Sequence, residues 1–517
     1  MTDPLEGWRS LEQLADDEAR PEAVAKRRRK GYRTARENVA DLVDEGSFLE
    51  YGRAAVAAQR ERRTMEELRR DTAADGVLTG LATINADTFG AEAASVAVVV
   101  NDYSVLAGTQ GYFHHLKIDR VLAVARDRRL PVVMYAEGGG GRPGDVDVKV
   151  VNAGLNVPTF ATWAGLSGVV PRVAVANGYC FAGNAALLGC ADITVATKSS
   201  WIGMAGPAMI EGGGLGKYRP DEIGPAERLF ENGVLDVLVE DEAEATAVAK
   251  QLLGYFQGDL ETWTAADPEP LRDALPEDRR YSYHARPILE RVVDEGSFLE
   301  LRRAYGGSVI TGFARIEGRP IGVLANDTKV LGGALDATAS DKAARFLQLL
   351  DAFGIPLLSL CDTPGFMVGP ASEEQAAVRR MSRLFVAGAH FRPPFICVFV
   401  RKGYGLGAMA MAGGSLNRPD LTVAWPQGEF GAMGLEGSVR LGYARELEAA
   451  EDEEARAALF DRLVRELYAR GKAAEMASFL EIDAVIDPAR TREVVAAALT
   501  RVGREPRPEA RRFVDTW

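Results

Sequence analysis

Two short stretches carry residues whose spacing could do chemistry without a reactive side chain. In residues 172–196 an apolar β-branched run (173–176) is broken by Asn177, Gly178 and Gly183, and an Ala- and Leu-rich run (184–188) follows. A strand that turns sharply into a helix leaves backbone N–H groups free at the helix start, backed by the helix dipole. Small residues at the turn, Ala182 and Gly183, let a ligand oxygen approach that backbone closely. Backbone donors of this kind build an oxyanion hole. Taken alone, the stretch also reads as a buried strand, turn and helix with glycines for packing. Residues 398–411 repeat it, with Leu406, Gly407 and Ala408 at the small-residue helix start, and Asp420-Leu-Thr-Val-Ala424 repeats Asp192-Ile-Thr-Val-Ala196. A glycine-rich segment follows each, 202–206 and 430–434.

Other reactive patterns are missing. The sequence has no GxSxG, no catalytic cysteine context, no GxGxxG after a first strand and no Walker lysine–serine ending. The run Glu137-Gly-Gly-Gly-Gly-Arg142, with Gly139 and Gly140, follows a strand pattern and reads as loop backbone lining a cleft. Asp362-Thr-Pro-Gly-Phe-Met-Val-Gly369, with Gly365 and Phe366, is its counterpart. The basic run 26–30, followed by Arg33 and Arg36, reads either as a solvated helix end or as a phosphate-binding patch. Lys117 and Arg120 form a second candidate cluster, after a glycine turn.

The elements that position these turns occur twice. Val43-Asp-Glu-Gly-Ser-Phe-Leu-Glu50 recurs identically as residues 293–300, which establishes an internal duplication. Leu78-Thr-Gly-Leu-Ala-Thr-Ile84 pairs with Ile310-Thr-Gly-Phe-Ala-Arg-Ile316, and Leu130-Pro-Val-Val-Met-Tyr135 with Ile355-Pro-Leu-Leu-Ser-Leu360. Each half alternates strands with helices, the pattern of an α/β fold on a mostly parallel sheet. The 517 residues therefore divide into domains 1–265 and 266–517, with the proline-bearing stretch 262–287 as linker. Residues 1–20 form a solvated or loosely docked lead-in, 446–481 a charged surface helical hairpin, and 511–517 a tail anchored by its aromatics.

A net charge of −13 and a pI near 5.1 argue against general binding to nucleic acid or a membrane surface. Four cysteines without CxxC spacing and four histidines without ligand spacing suggest no metal site and no disulfide framework. No apolar run approaches the ~20 residues of a membrane span, and a soluble cytoplasmic protein is expected.

The segment from Lys30-Gly-Tyr-Arg-Thr-Ala-Arg-Glu-Asn38 to Glu50 resembles the opening of acyl-CoA carboxylase β subunits, the biotin-dependent carboxyltransferases. Asp362-Thr-Pro-Gly-Phe-Met-Val-Gly369, Arg401-Lys-Gly-Tyr-Gly-Leu-Gly407, Ala424-Trp-Pro426 and Val514-Asp-Thr-Trp517 resemble the same family, so the likeness runs from about residue 25 to 517. It implies two duplicated crotonase-like (ClpP/crotonase) superdomains. The first takes the acyl-CoA, and the second, from a partner subunit, takes carboxybiotin. It implies that Ala182 and Gly183 hold the thioester enolate and that Leu406 and Gly407, or Ala408 one residue on, hold the ureido oxygen of biotin. The CoA phosphates would fall to Lys30, Arg33 and Arg36 or to Lys117 and Arg120, and Gly139, Gly140, Gly365 and Phe366 would line the ligand sites. CO2 would pass from carboxybiotin to the α or vinylogous carbon of the acyl-CoA. The implied partners are a biotin carboxylase and a biotin carrier on other chains, and the implied assembly is a homo-oligomer, a trimer of dimers, with no metal in this chain. The alternatives are a biotin-linked acyl-CoA decarboxylase on the same fold and a non-catalytic scaffold subunit. Many members of that family show Gly-Gly-Ala at both turns, where this chain has Phe-Ala-Gly-Asn (181–184) and Gly-Leu-Gly-Ala (405–408), and Met409 falls near a position that lines their acyl pocket.

Overall fold

Valine-rich runs too short for helices form the centres of two sheets. The computed structural model describes residues 3–148, 155–503 and 512–517. The chain divides after Gly258 into two compact units, and residues 512–516 belong with the first.

The first unit's strands are β1 (Leu49–Tyr51), β2 (Val77–Thr83), β3 (Ser95–Asn101), β4 (Val132–Tyr135), β5 (Arg172–Ala176), β6 (Tyr179–Phe181), β7 (Ile193–Thr197), β8 (Trp201–Gly203) and β9 (Val237–Val239). They form a sheet ordered β1-β2-β3-β4-β5-β7-β9 and a separate ladder β6-β8. The second unit's strands are β10 (Leu299–Leu301), β11 (Val309–Ile316), β12 (Arg319–Asn326), β13 (Leu357–Thr363), β14 (Phe395–Tyr404), β15 (Leu421–Ala424), β16 (Glu429–Gly431) and β17 (Ala484–Val485). Their order is β10-β11-β12-β13-β14-β15-β17, with β16 on β14. Each sheet opens with antiparallel pairs and turns parallel from its third strand on. Helices Tyr112–Arg128 and Ala337–Phe353 make the corresponding crossovers. Val99, Ile118, Met134 and Trp163 are buried in the first core, and Ile310, Val323, Val398 and Trp425 in the second.

The repeated octapeptide explains itself in this register. Glu50 lies opposite Gly80, and Glu300 opposite Gly312. A Cβ on either glycine would strike the carbonyl of Leu49 or Leu299 and come within 2.8 or 2.7 Å of the ring of Phe48 or Phe298. The phenylalanine packs down only because its cross-strand neighbour has no side chain.

Four segments can be set against the sequence reading. The stretch 262–287 is not a free linker, because Leu271 and Tyr283 are buried in the second core and a helix, Ala285–Val292, begins within it. The lead-in takes the docked alternative: Arg53 donates to the Glu12 carbonyl, near the end of helix Pro4–Gln13, at 3.2 Å and to the Asp16 carboxylate. The segment 446–481 holds three helices, Ala444–Glu448, Glu453–Arg470 and Ala473–Ser478. In the tail one of the two aromatics anchors as expected, Trp517 meeting the Tyr305 ring edge-on at 5.7 Å, while Phe513 is 76% exposed and Val514 adds hydrogen bonds of 2.8 and 3.1 Å with the Ser167 hydroxyl. Arg511 lies outside the described residues.

Replacing Gly80 or Gly312 with Ala is expected to destabilise that unit by about 1–3 kcal/mol through overpacking, read as a lower urea midpoint. An unchanged midpoint would mean the strand pair yields freely. A second expectation concerns helix Tyr112–Arg128. Burial pushes His115 down to about 4 and His114 well below 6.5, so both imidazoles are neutral in the fold. An unfolded chain protonates them near 6.5, so the unfolded state binds more protons as pH falls. Stability of the first unit should therefore be lost between pH 6.5 and 4. His114→Asn/His115→Gln should flatten that slope, and an unaltered slope would assign it to other groups.

Candidate active site

In each unit a strand enters a short helix through one residue of positive φ. β6 pairs with β8 as Tyr179↔Trp201 to Phe181↔Gly203, and the end of β14 pairs with β16 as Lys402↔Glu429 to Tyr404↔Gly431. This register aligns Ala182 with Gly405, Gly183 with Leu406 and Asn184 with Gly407. Ala182 has φ 54° and Gly405 φ 56°, so both turns use the same unusual backbone. Glycine adopts it freely, whereas alanine does so at a cost.

The helices Gly183–Gly189 and Gly405–Met411 leave their first N–H groups without intrahelical acceptors. Ala182 is not one of the available donors, because its N–H is 2.9 Å from the Gly203 carbonyl. It supplies the turn, and the Gly183 N–H is the group left to face a ligand. In the second unit the register gives that role to Leu406, which is 61% exposed. Gly407 serves closeness instead: a Cβ there would lie 2.6 Å from the carbonyl carbon of Gly365 and 3.0 Å from the Phe366 nitrogen. Ala408 is buried behind it.

The glycine-rich loops supply a second donor each. Gln110 donates to the Gly140 carbonyl at 2.7 Å and accepts from Arg142 at 2.8 Å, forming an isolated parallel bridge with Gly141. Leu335 makes the same bridge to Phe366, through Gly365 and Met367. In such a bridge the central residue's own N–H points away from the partner strand. The available N–H groups are therefore those of Gly141 and Phe366. A Cβ on Gly140 would sit 3.5 Å from the Gly183 nitrogen, which fixes how closely loop and helix start approach. Gly139 spends its N–H on the Ala107 carbonyl at 3.1 Å. Sequence reasoning named Phe366 and passed over Gly141, although aligning Asp362-Thr-Pro-Gly-Phe366 with Glu137-Gly-Gly-Gly-Gly141 places the two at the same position. A cavity of about 480 Å³ adjoins Gly141, lined by Gln110, Tyr112, His115, Arg142 and Val157 among others.

Buried charge holds the first loop at both ends. Arg27 Nη1 and Nη2 donate to the two Glu137 oxygens at 2.7 and 2.5 Å, and burial pushes the Glu137 carboxyl up to about 7 against the pull of Arg27. Arg142 pairs with buried Asp75 and donates to the Thr109 carbonyl at 2.7 Å. In the second unit Asp362 accepts from Arg401 at 3.0 Å and from the Tyr283 hydroxyl at 2.8 Å. Burial raises the thiols of Cys180, Cys361 and Cys397, the last to about 12, so none is poised as a thiolate. Among the described residues no group of His, Cys, Asp and Glu could hold a metal ion, and no helix is long and apolar enough to cross a membrane.

The cations expected to meet phosphate are mostly engaged. Lys117 is 7% exposed, and its ammonium donates to the carbonyls of Ala74, at 2.7 Å, and Val77. Lys342 does the same to the Val309 carbonyl at 2.6 Å in the second unit. These lysines bind the carbonyl of the first residue of β2 and of β11, so Lys117 is a packing element whose ammonium is already engaged. Arg33 pairs with Asp41 at 2.6 Å, and Arg36 with Glu50 at 3.1 Å while donating to the Ala15 carbonyl. Lys30 and Arg120 are exposed.

Comparison with known proteins converges on one family. The chain is 35% identical over 502 residues to the propionyl-CoA carboxylase beta chain of Saccharopolyspora erythraea, covering 92% of this chain and 89% of that one. Among solved structures, a single-chain, multi-domain long-chain acyl-CoA carboxylase superposes with a TM-score of 0.91 at 54% identity over 96% of this chain. The present chain spans about half that protein's length, 49%. Transcarboxylase 12S, solved as a hexamer assembly with methylmalonyl-CoA and methylmalonic acid bound, gives a TM-score of 0.86 at 29% identity over 99% of this chain and 98% of that one. The family model described as the carboxyl transferase domain matches residues 26–513, and the chain belongs to that family.

Proposed function

We propose that the chain is the carboxyltransferase subunit of a biotin-dependent acyl-CoA carboxylase, with long-chain acyl-CoA as its substrate class. The observation that carries the reading is the duplicated turn: two positive-φ residues, each opening a short helix against which a glycine-rich loop packs closely. Gly183 and Gly141 then hold the thioester oxygen of the acyl-CoA, where negative charge grows as the α-carbon becomes an enolate. Leu406 and Phe366 hold a carbonyl oxygen of the other reactant. The second turn fits the ureido group of biotin, since Gly407 lets the loop close to a distance that any Cβ would fill. Bound carboxybiotin supplies the carboxyl group. The protein's part is placement: backbone dipoles fixed in advance and no side chain that must change protonation.

Two features support the chain-length assignment. One is the 54% identity to a long-chain acyl-CoA carboxylase. The other is a cavity of about 650 Å³ in the second unit, opening beside Ala408 and lined by Met409, Leu416, Phe430, Leu435, Leu467 and Met476. The same hollow carries Ser415, Asn417, Ser438, Arg470 and Glu481, and its predominantly apolar remainder suits an alkyl tail. In this reading the tail belongs to a thioester held on the first unit of a neighbouring subunit, in a hexamer arranged as a trimer of dimers. A biotin carboxylase and a biotin carrier act with it, and the cytoplasm is the site of action.

The reading is tested with the chain reconstituted with biotin carboxylase and carrier, and assayed against acyl-CoAs of increasing length. Long-chain substrates should exceed propionyl-CoA in kcat/KM. Leu435→Trp, which shortens the cavity, should shift the preference to shorter chains. A preference for propionyl-CoA in the unaltered enzyme would contradict the chain-length assignment, and no carboxylation of any acyl-CoA would contradict the function.

A further inference from the structure

We infer that Arg27 and Glu137 are positioning residues for the first half-site, and that the N-terminal helix Pro21–Arg29 is thereby a working part of that site. The inference deepens the function proposed above and rests on it only for the kinetic readout.

The argument comes from comparing the two units at one position. Glu137, just past β4, and Asp362, at the end of β13, each lead into the loop that presents the second donor, four residues before Gly141 and Phe366 respectively. Each acid is buried, at 3% and 1% exposure, and each meets an arginine flanked by tyrosine. Arg401 lies 4.9 Å from the Tyr283 ring, and Arg27 lies 4.6 Å from that of Tyr32 and 5.6 Å from that of Tyr103. The arginines come from different places. Arg401 stands on β14, one residue before the segment that pairs with β16. The corresponding residue before β6 is Gly178, and a Cβ built there points at the Glu137 carboxylate. The first unit thus lacks a side chain where the second carries its arginine, and Arg27 reaches in from the N-terminal helix to fill the role. The duplication kept the contact and exchanged its source.

The contact has somewhere to act. Between Glu137 and Gly141 the loop is tied by Gly138 donating to the Tyr179 carbonyl at 2.7 Å and by Phe181 donating to the Gly138 carbonyl at 2.9 Å. These bonds set the loop against the strand that leads into Ala182 and Gly183. A bidentate guanidinium–carboxylate pair fixes direction as well as distance. Backbone donors misplaced by about 1 Å cost on the order of 10²-fold in rate. The same pair takes Arg27 out of the basic run 26–30, so that run is not one phosphate-binding patch.

The test uses the assembled enzyme with its biotin carboxylase and carrier. Replacing a buried ion pair by apolar residues of similar volume commonly preserves the fold, so the first variant is Arg27→Met/Glu137→Met. The expected result is kcat lowered about 30- to 100-fold, KM for acyl-CoA within twofold of the unaltered enzyme, and a thermal midpoint within a few degrees. Arg27→Lys, which keeps the charge and loses the fork, should fall between the two. Amide hydrogen exchange of residues 138–141, measured without substrate, should quicken in the double variant while the loop 363–366 is unchanged. That readout holds whatever the substrate is. Quickened exchange in an enzyme inactive on every acyl-CoA would sink the proposed function and leave the clamp standing. Unaltered kcat or unaltered exchange in a folded double variant would overturn the clamp. Should the double variant fail to fold, wild-type kcat in Arg27→Lys would overturn it equally.

Discussion

The structure depends on a constraint of backbone geometry. A peptide N–H can serve a ligand only if its own chain has not already used it, and most buried N–H groups are used. The start of a helix is the regular exception, and a strand delivers that start to a chosen point only through an abrupt turn. Here the turn requires positive φ at Ala182 and Gly405. Much of what surrounds these residues follows from it. The ladders β6–β8 and β14–β16 hold the strand ends. Gly140 and Gly407 keep Cβ atoms out of the approach, and buried ion pairs fix the first loop at its ends.

The chain meets this constraint twice with unequal parts. At the first turn an alanine takes the strained conformation and a glycine supplies the free N–H. At the second, glycine takes the turn and an exposed leucine supplies the N–H. Asn184 cross-links to Gln110 at 2.7 Å where Gly407 only makes room. The two half-sites are thus equivalent in backbone and different in what they press against, which agrees with the proposal that they hold unlike reactants on one architecture.

The fold was legible in the sequence because duplication is a strong signal: the identical octapeptides fall on the same helix-end-to-strand passage in both units. The turns were legible for the same reason. What sequence hid was which way each group points. Ala182 looked like a donor, and only the bond to Gly203 shows its N–H to be spent. Lys117 follows a glycine turn and looked like a phosphate ligand, yet Lys342 occupies the same place in the other half, so the duplication itself carried the warning. Arg27 was lost in a run of five basic residues. Its partner lies 110 positions on, and no local pattern marks a contact of that range. Stretch 262–287 resembled a linker because proline and charge describe its surface, whereas Leu271 and Tyr283 decide that it packs.

The central claim is that the helix-start N–H at each turn is one of two backbone donors that stabilise the bound oxygen. It is tested most directly by exchanging the Leu406 peptide for an ester, incorporating the α-hydroxy analogue of leucine so that the side chain is kept and the N–H becomes oxygen. The account predicts carboxyl transfer slowed about 10²- to 10³-fold, with assembly and thermal midpoint retained. Wild-type turnover in the ester-bearing enzyme would contradict it.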